Sequence, residues 1–256
     1  MQLLFEAVIL GLVQGITEFI PVSSSGHLII ADELLGFATG GFVFDTLLNI
    51  GTLLALTLYF RRDLAQLWRG LWQPEQYGKT SWLIILATLP AVAVGLFVPT
   101  IRSIYVVIVM LAGVGVLMLI AERTLGQRRL KDIGTADALT IGVAQVLAFI
   151  PGTSRSGITM VAGQYRGLSH GAAARFSFLL ALPVLGGGVL KVALDPEVIG
   201  AFALQPMPYL AGIAAAFASG YIAISFMLRF LSSHGLSLFA WYRIALAAIL
   251  LVITLV

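Results

Sequence analysis

Long apolar runs occupy about residues 42–60, 81–98, 104–121, 176–193, 208–228 and 237–256, each close to the ~20 residues that cross a hydrocarbon core. They predict six transmembrane helices. Two further apolar regions, about 3–31 and 138–165, are interrupted by PVSSSG at Pro21 to Gly26 and PGTSRSG at Pro151 to Gly157. Their pieces read as too short to span alone, so each predicts either an interrupted span or a re-entrant pair of helices. All these runs are continuous, whereas a transmembrane β-barrel would alternate apolar and polar positions.

Composition sharpens this picture. Of 256 residues, 59% are hydrophobic and only 11% charged, against roughly a quarter charged in a soluble domain. A soluble enzyme and a disordered chain are excluded. No cysteine is present, which removes disulfides, thiolate metal sites and a cysteine nucleophile. No basic stripe with interleaved aromatics points to nucleic acid.

Charge placement orients the spans. Arg61, Arg62, Arg69 and Lys79 lie in one connecting segment, and Arg123, Arg128, Arg129 and Lys131 in another two crossings away. Both read as cytoplasmic. If 138–165 enters and leaves on one side, Arg166, Arg175 and Arg229 are cytoplasmic too, so the re-entrant reading fits best. Both termini and the segments 31–41 and 194–207 then lie outside. Trp68, Trp72, Trp82 and Tyr77 fit an interfacial belt.

The interrupted regions resemble one another. GLVQGITEFIPVSSSG from Gly11 and GVAQVLAFIPGTSRSG from Gly142 share Gly, Gln, Phe-Ile-Pro and Ser-Gly elements at an offset of 130 to 131. This reads as an internal duplication, with repeats at about 1–121 and 138–256 joined by a cytoplasmic loop in a single membrane domain. With three spans per half, the second half is expected to be inverted relative to the first, which places a site near the midplane where the broken helices meet.

Non-helical backbone at membrane depth must be buried in protein or line a wet cavity. The residues at the breaks are therefore the candidates. Glu18, His27 and Arg155 are ionisable groups in apolar surroundings, which mark functional sites by default; the alternative is a buried structural pair of Glu18 with Arg155. Gln14 and Glu18, four apart, share a helix face and offer oxygens to a hard cation such as Mg²⁺, or else satisfy the freed backbone of the break. Ser23, Ser24, Ser25, Gly26 and His27 bring hydroxyls, backbone N–H groups and an imidazole together, with helix capping as the plainer role for the serines.

Thr153, Ser154, Arg155, Ser156 and Gly157 put a guanidinium fork and small donors at a helix start, a combination suited to phosphate. Asp45, Asn49, Arg175 and Arg243 either line the chamber or make structural pairs. Gly186, Gly187 and Gly188 read as sites of close helix contact.

These motifs closely resemble the bacterial undecaprenyl-diphosphate phosphatases of the bacitracin-resistance type. The resemblance rests on Gln14 to His27 (QGITEFIPVSSSGH) and Pro151 to Gly157, and extends through Phe44 to Thr52 and Arg175 to Pro183. It implies an all-α plasma-membrane hydrolase acting on a C55 polyprenyl diphosphate, recycling the carrier lipid for peptidoglycan synthesis and conferring bacitracin resistance. The site is then expected on the outer, periplasmic side. Within that pattern Glu18 matches the acidic position, Ser24 and His27 the catalytic serine and histidine, and Arg155 the phosphate-binding arginine.

Gln14 stands where many members carry a second glutamate, so only one carboxylate is offered to a divalent cation, Mg²⁺ or Ca²⁺. Membrane lipid is the other expected partner, and a homo-oligomer is compatible with the sequence. The rival reading is a polyprenyl-phosphate flippase or secondary transporter using the same midplane anion site.

Overall fold

The computed structural model describes residues 1–37, 41–73, 75, 78–95, 97, 101–124 and 126–255. Tyr77 of the expected aromatic belt lies outside them. Twelve α-helices make up the described chain: α1 (Gln2–Phe19), α2 (Ser24–Leu35), α3 (Phe42–Tyr59), α4 (Arg61–Trp72), α5 (Thr80–Gly95), α6 (Ile104–Ala121), α7 (Thr135–Val146), α8 (Arg155–Tyr165), α9 (His170–Ala193), α10 (Pro196–Leu204), α11 (Pro206–Phe230) and α12 (Ser237–Leu255).

Five of them, α1, α6, α9, α11 and α12, are long and apolar enough to cross a membrane; α3 joins them if counted with α4, from which a 79° bend separates it. The all-α membrane architecture is as the apolar runs predict. Two expectations are corrected. The apolar run 81–98 gives α5, a shorter apolar helix of 16 residues that is not among these spans. The stretch before Pro21 is not too short to span, because α1 runs for 18 residues. The proline at the break cannot continue the helical ladder, but nothing upstream of it stops the helix from extending to Gln2.

Ion pairs fix where each broken region starts and ends. Arg128 donates to Asp137 Oδ2 at the start of α7 (2.6 Å) and to the Arg166 carbonyl at the end of α8 (2.7 Å), so the α7–α8 pair enters and leaves at one end of the bundle. At the opposite end, Arg102 bridges Asp32, near the end of α2, and Asp45, near the start of α3. Ala7 of α1 and Ala31 of α2 pack in one cluster with Phe44, which brings the outer ends of α1 and α2 to that same end.

Packing is tight where the matching segments meet the rest. In lipid, helices associate through close van der Waals contact, which small residues permit. A Cβ on Gly11 would stand 2.3 Å from the Gly212 carbonyl oxygen of α11, and one on Gly142 would stand 2.4 Å from that of Ala87 in α5. The two glycines that align between the matching segments thus each lie against a helix of the other half of the chain. Larger side chains fill the centre, where Phe19, Phe60, Phe176 and Phe178 are fully buried and Phe19 meets Phe178 edge-on at 5.6 Å. Trp68, Trp72 and Trp82 are exposed.

Candidate active site

The two breaks have the same local geometry. Ser23 and Ser154 both adopt positive φ, 78° and 70°, a conformation that costs a non-glycine residue and persists only where the surroundings hold it. Each then caps the helix that follows: Ser23 Oγ accepts from the Gly26 N–H at 3.3 Å and Ser154 Oγ from the Gly157 N–H at 3.1 Å. The next residue in each case, Ser24 or Arg155, becomes the first of its helix. These two residues, which follow the matching serine caps, converge on one carboxylate.

That carboxylate is Glu18. Arg155 Nη2 donates to its Oε1 at 2.9 Å, and the two side chains are 9% and 10% exposed, so the charges are withdrawn from water and compensate one another. Ser24 Oγ donates to its Oε2 at 2.6 Å, and the Gln14 amide donates to the same oxygen at 3.1 Å. Gln14 also reaches Asn49 Oδ1 at 3.0 Å. Behind the site, Ser156 Oγ donates to the Glu18 carbonyl at 3.2 Å and Arg155 Nη1 to the Ser177 carbonyl at 3.3 Å. The guanidinium is thereby oriented from two sides.

A chamber of about 690 Å³ opens over this cluster, with Gln14, Glu18, Ser24, Asn49 and Arg155 on its walls. Asp45, Arg102 and Lys191 stand toward the end where α2 and α3 meet, and Val92, Ile101, Phe149 and Val184 add apolar wall. A chamber that combines charged and polar groups with apolar wall suits an amphiphile with a charged head.

The remaining candidates divide clearly. Ser25 and Ser154 also line the chamber, whereas Ser23 is a buried cap and Thr153 is fully buried. Gly26 and Gly157 serve as the capped N–H groups, and Ser156 faces Glu18's backbone. His27 is turned away from Ser24. Its Nδ1 lies 2.7 Å from the Ser23 carbonyl oxygen and its Nε2 2.8 Å from the Tyr242 hydroxyl. A carbonyl only accepts, so Nδ1 carries the proton and Nε2 accepts from the tyrosine.

Among the residues that had two readings, Asp45 and Asn49 line the chamber, Arg243 is structural, and Arg175 lies at the other end of α9 beside Asp63. The glycines of α9 need correction. A Cβ at Gly186, Gly187 or Gly188 would meet nothing within 4 Å, so they make no close helix contact; Gly187 and Gly188 line the chamber instead. Arg102, Lys191 and Tyr242 carry no local motif, and only the tertiary fold brings them to the site.

Among the described residues no group of three or more His, Asp or Glu stands ready for a metal. The donor set that exists, one carboxylate beside neutral amides of Gln14 and Asn49, fits a hard cation that takes few protein oxygens and fills its shell with water and phosphate.

Comparison with known proteins identifies the family of the whole chain. The family model described as bacitracin resistance protein BacA matches residues 7–249. The undecaprenyl-diphosphatase of Desulforudis audaxviator is 40% identical over 263 residues, covering 98% of each chain. That of Rubrobacter xylanophilus is 41% identical over 268 residues, covering 96% of each, and that of Alteromonas mediterranea 40% over 265, covering 97% of each. With a chamber built on Glu18, Ser24 and Arg155 and matches across nearly its whole length, the chain belongs to the bacitracin resistance protein BacA family.

Proposed function

We propose that this protein hydrolyses undecaprenyl diphosphate to undecaprenyl phosphate and inorganic phosphate, recycling a carrier lipid for cell-wall synthesis. The observation that carries the reading is the convergence of Ser24 and Arg155 on opposite oxygens of Glu18. A nucleophilic hydroxyl, a carboxylate able to take its proton and a guanidinium able to hold phosphate all face one amphiphile-sized chamber.

In this mechanism Ser24 Oγ attacks the terminal phosphorus and its proton passes to Glu18 Oε2. The bond from that phosphorus to the bridging oxygen breaks, and the electron pair leaves with the lipid monophosphate. Water then attacks the phosphoserine, the Ser24 oxygen recovers a proton from Glu18, and inorganic phosphate departs. Arg155 binds the terminal phosphoryl oxygens and stabilises the charge that builds on them. Glu18 and Gln14 would hold a divalent cation, Mg²⁺ or Ca²⁺, which when bound neutralises diphosphate charge. His27 positions the Ser23–Ser24 turn through its bond to the Ser23 carbonyl.

The same proposal has the protein act in the bacterial plasma membrane with the chamber open to the outer side. Supporting this, Arg128, Arg166 and Arg175 all lie at the bundle end opposite the Arg102 mouth, as the positive-inside rule asks of a cytoplasmic face. The matched glycines and the twin serine caps support reading the two halves as an inverted repeat.

The test is phosphate release from C55 diphosphate by purified protein, with and without chelator, for wild type beside Glu18→Gln and Arg155→Ala. Chelator-sensitive release lost in both variants supports the reading. A folded, metal-supplied protein that releases none, yet exchanges lipid phosphate across vesicles, would replace it with a transporter.

A further inference from the structure

A second cleft lies at the opposite end of the bundle from the Glu18 chamber. About 370 Å³ in size, it is bounded by Tyr59, Phe60, Asp63, Arg175, Ser225 and Arg229, where the end of α3 meets the start of α9 and the end of α11. Arg175 and Lys191 are sixteen residues apart on α9, or ~24 Å at 1.5 Å per residue. Lys191 lines the first chamber and Arg175 the second, so the two open toward opposite membrane faces.

The cleft's charge is unbalanced. Asp63 pairs with Arg175, whose guanidinium also lies 5.8 Å from the Phe60 ring centre, and this holds it in place. Arg229 has no hydrogen-bond or ion-pair partner for its guanidinium among the described residues. Two guanidiniums against one carboxylate leave a net positive charge in a cleft at membrane-interface depth, beside the Arg61–Arg62 start of α4. Basic pockets so placed between helices take lipid headgroups.

The apolar surface beside the cleft says what kind of anion fits. Ile222, Phe226 and Arg229 follow at i, i+4 and i+7 on α11, one helix face, and Ile222 and Phe226 are exposed. Leu54 and Leu58, four apart on α3, are exposed as well. Phe226 and Ile222 run back from Arg229 along α11 toward the middle of the bundle, a path an acyl chain can take from a headgroup held at Arg229. A free phosphate has no use for them.

We infer that the cleft bounded by Arg175 and Arg229 is a binding site for the phosphate headgroup of an anionic phospholipid of the leaflet opposite the Glu18 chamber. Ser225 adds a hydroxyl donor to the phosphate oxygens, Arg175 supplies a fixed fork, and Arg229 closes on the headgroup from the α11 side.

The test is native mass spectrometry of the detergent-purified full chain titrated with dioleoyl phosphatidylglycerol or dioleoyl phosphatidylcholine. For wild type, phosphatidylglycerol is expected to bind first and more tightly. Arg229→Gln is expected to weaken that first binding about fivefold, as for loss of one basic residue at an anionic surface, without altering phosphatidylcholine binding or phosphate release from substrate. Ser225→Glu, which breaks no side-chain hydrogen bond among the described residues and adds a negative charge to the cleft, is expected to weaken it at least as much. Arg155→Ala is expected to leave it unchanged. The inference is overturned if Arg229→Gln and Ser225→Glu, both folded, retain phosphatidylglycerol as wild type does, if retention is lost in Arg155→Ala, or if inorganic phosphate displaces the lipid.

Discussion

Arg243 of α12 donates through Nη2 to the Gly152 carbonyl at 2.7 Å, fixing the second break from a helix ninety-one residues away in sequence. The same guanidinium reaches the Thr153 carbonyl (3.1 Å), the Pro21 carbonyl of the first break (3.2 Å), and the carbonyls of Met110 and Leu111 on α6. It is fully buried. The Pro21, Gly152 and Thr153 carbonyls lie between helices at the two breaks, and without Arg243 they would be orphaned in an apolar interior at roughly 1–3 kcal/mol each.

Arg243→Gln is therefore expected to destabilise by about 3 kcal/mol or more, and Arg243→Lys to recover only part of it, because one ammonium cannot span carbonyls from three elements. Tryptophan-fluorescence melting in detergent measures this, using the four native tryptophans. A wild-type melting temperature in Arg243→Gln would show that the breaks hold themselves.

Ser24 and Ser25 separate nucleophile from lining. Ser24 donates to Glu18 at 2.6 Å, while Ser25 only faces Ser23 Oγ at 3.4 Å. Ser24→Ala is expected to lower phosphate release by about 10³-fold or more, and Ser25→Ala by less than about tenfold. If Ser24→Ala, folded, turned over near the wild-type rate, water would be the attacking group and the phosphoserine step would be lost.

The stacked pair of His27 and Tyr242, ring centres 5.8 Å apart and nearly parallel, predicts a positioning role for the histidine. His27→Ala is expected to cost roughly tenfold in turnover, well short of the 10²–10⁴ that a general acid–base group contributes, with the pH profile of the rate keeping its shape. Tyr242→Phe is expected to cost less, since it leaves the Nδ1 bond to the Ser23 carbonyl. Disappearance of one limb of the profile in His27→Ala would make the imidazole a proton carrier after all.

How much of this was legible in the chain depends on the range of the interaction. The breaks announce themselves locally, since Pro21 and Pro151 stop a helix and the small polar residues after them cap the next one. Glu18 and Arg155 were conspicuous because few ionisable residues sit in such apolar surroundings. The length of α1 is hidden in the sequence because the Pro21 interruption marks where the helix ends and says nothing of what it packs on. The partner of His27 and the carbonyls held by Arg243 were beyond reach, being 215 and up to 222 residues distant. The α9 glycines are ambiguous in sequence because small residues serve a close contact and an open wall equally well.

Asp137 offers a prediction away from the chamber, on the face that holds Arg128 and Arg166. Burial pushes its carboxyl up, but the Arg128 hydrogen bonds, the Gly134 N–H and Arg166 together hold it below the usual carboxylate range. A depressed folded value means stability that is present above the ordinary ~3.9 and is lost as the pH falls through the folded value. The pairing should therefore contribute fully from pH 5 to 8 and fade only in strong acid.

The carboxylate is 3% exposed, yet both guanidiniums are about two-fifths exposed, so solvent screening trims the contribution to about 1–3 kcal/mol. Asp137→Asn is expected to melt several degrees below wild type at pH 7, with the gap closing as the pH is taken below about 4. A gap that stayed constant with pH would mean that Asp137 acts by its hydrogen bonds to Gly134 and the α7 start, with its charge irrelevant.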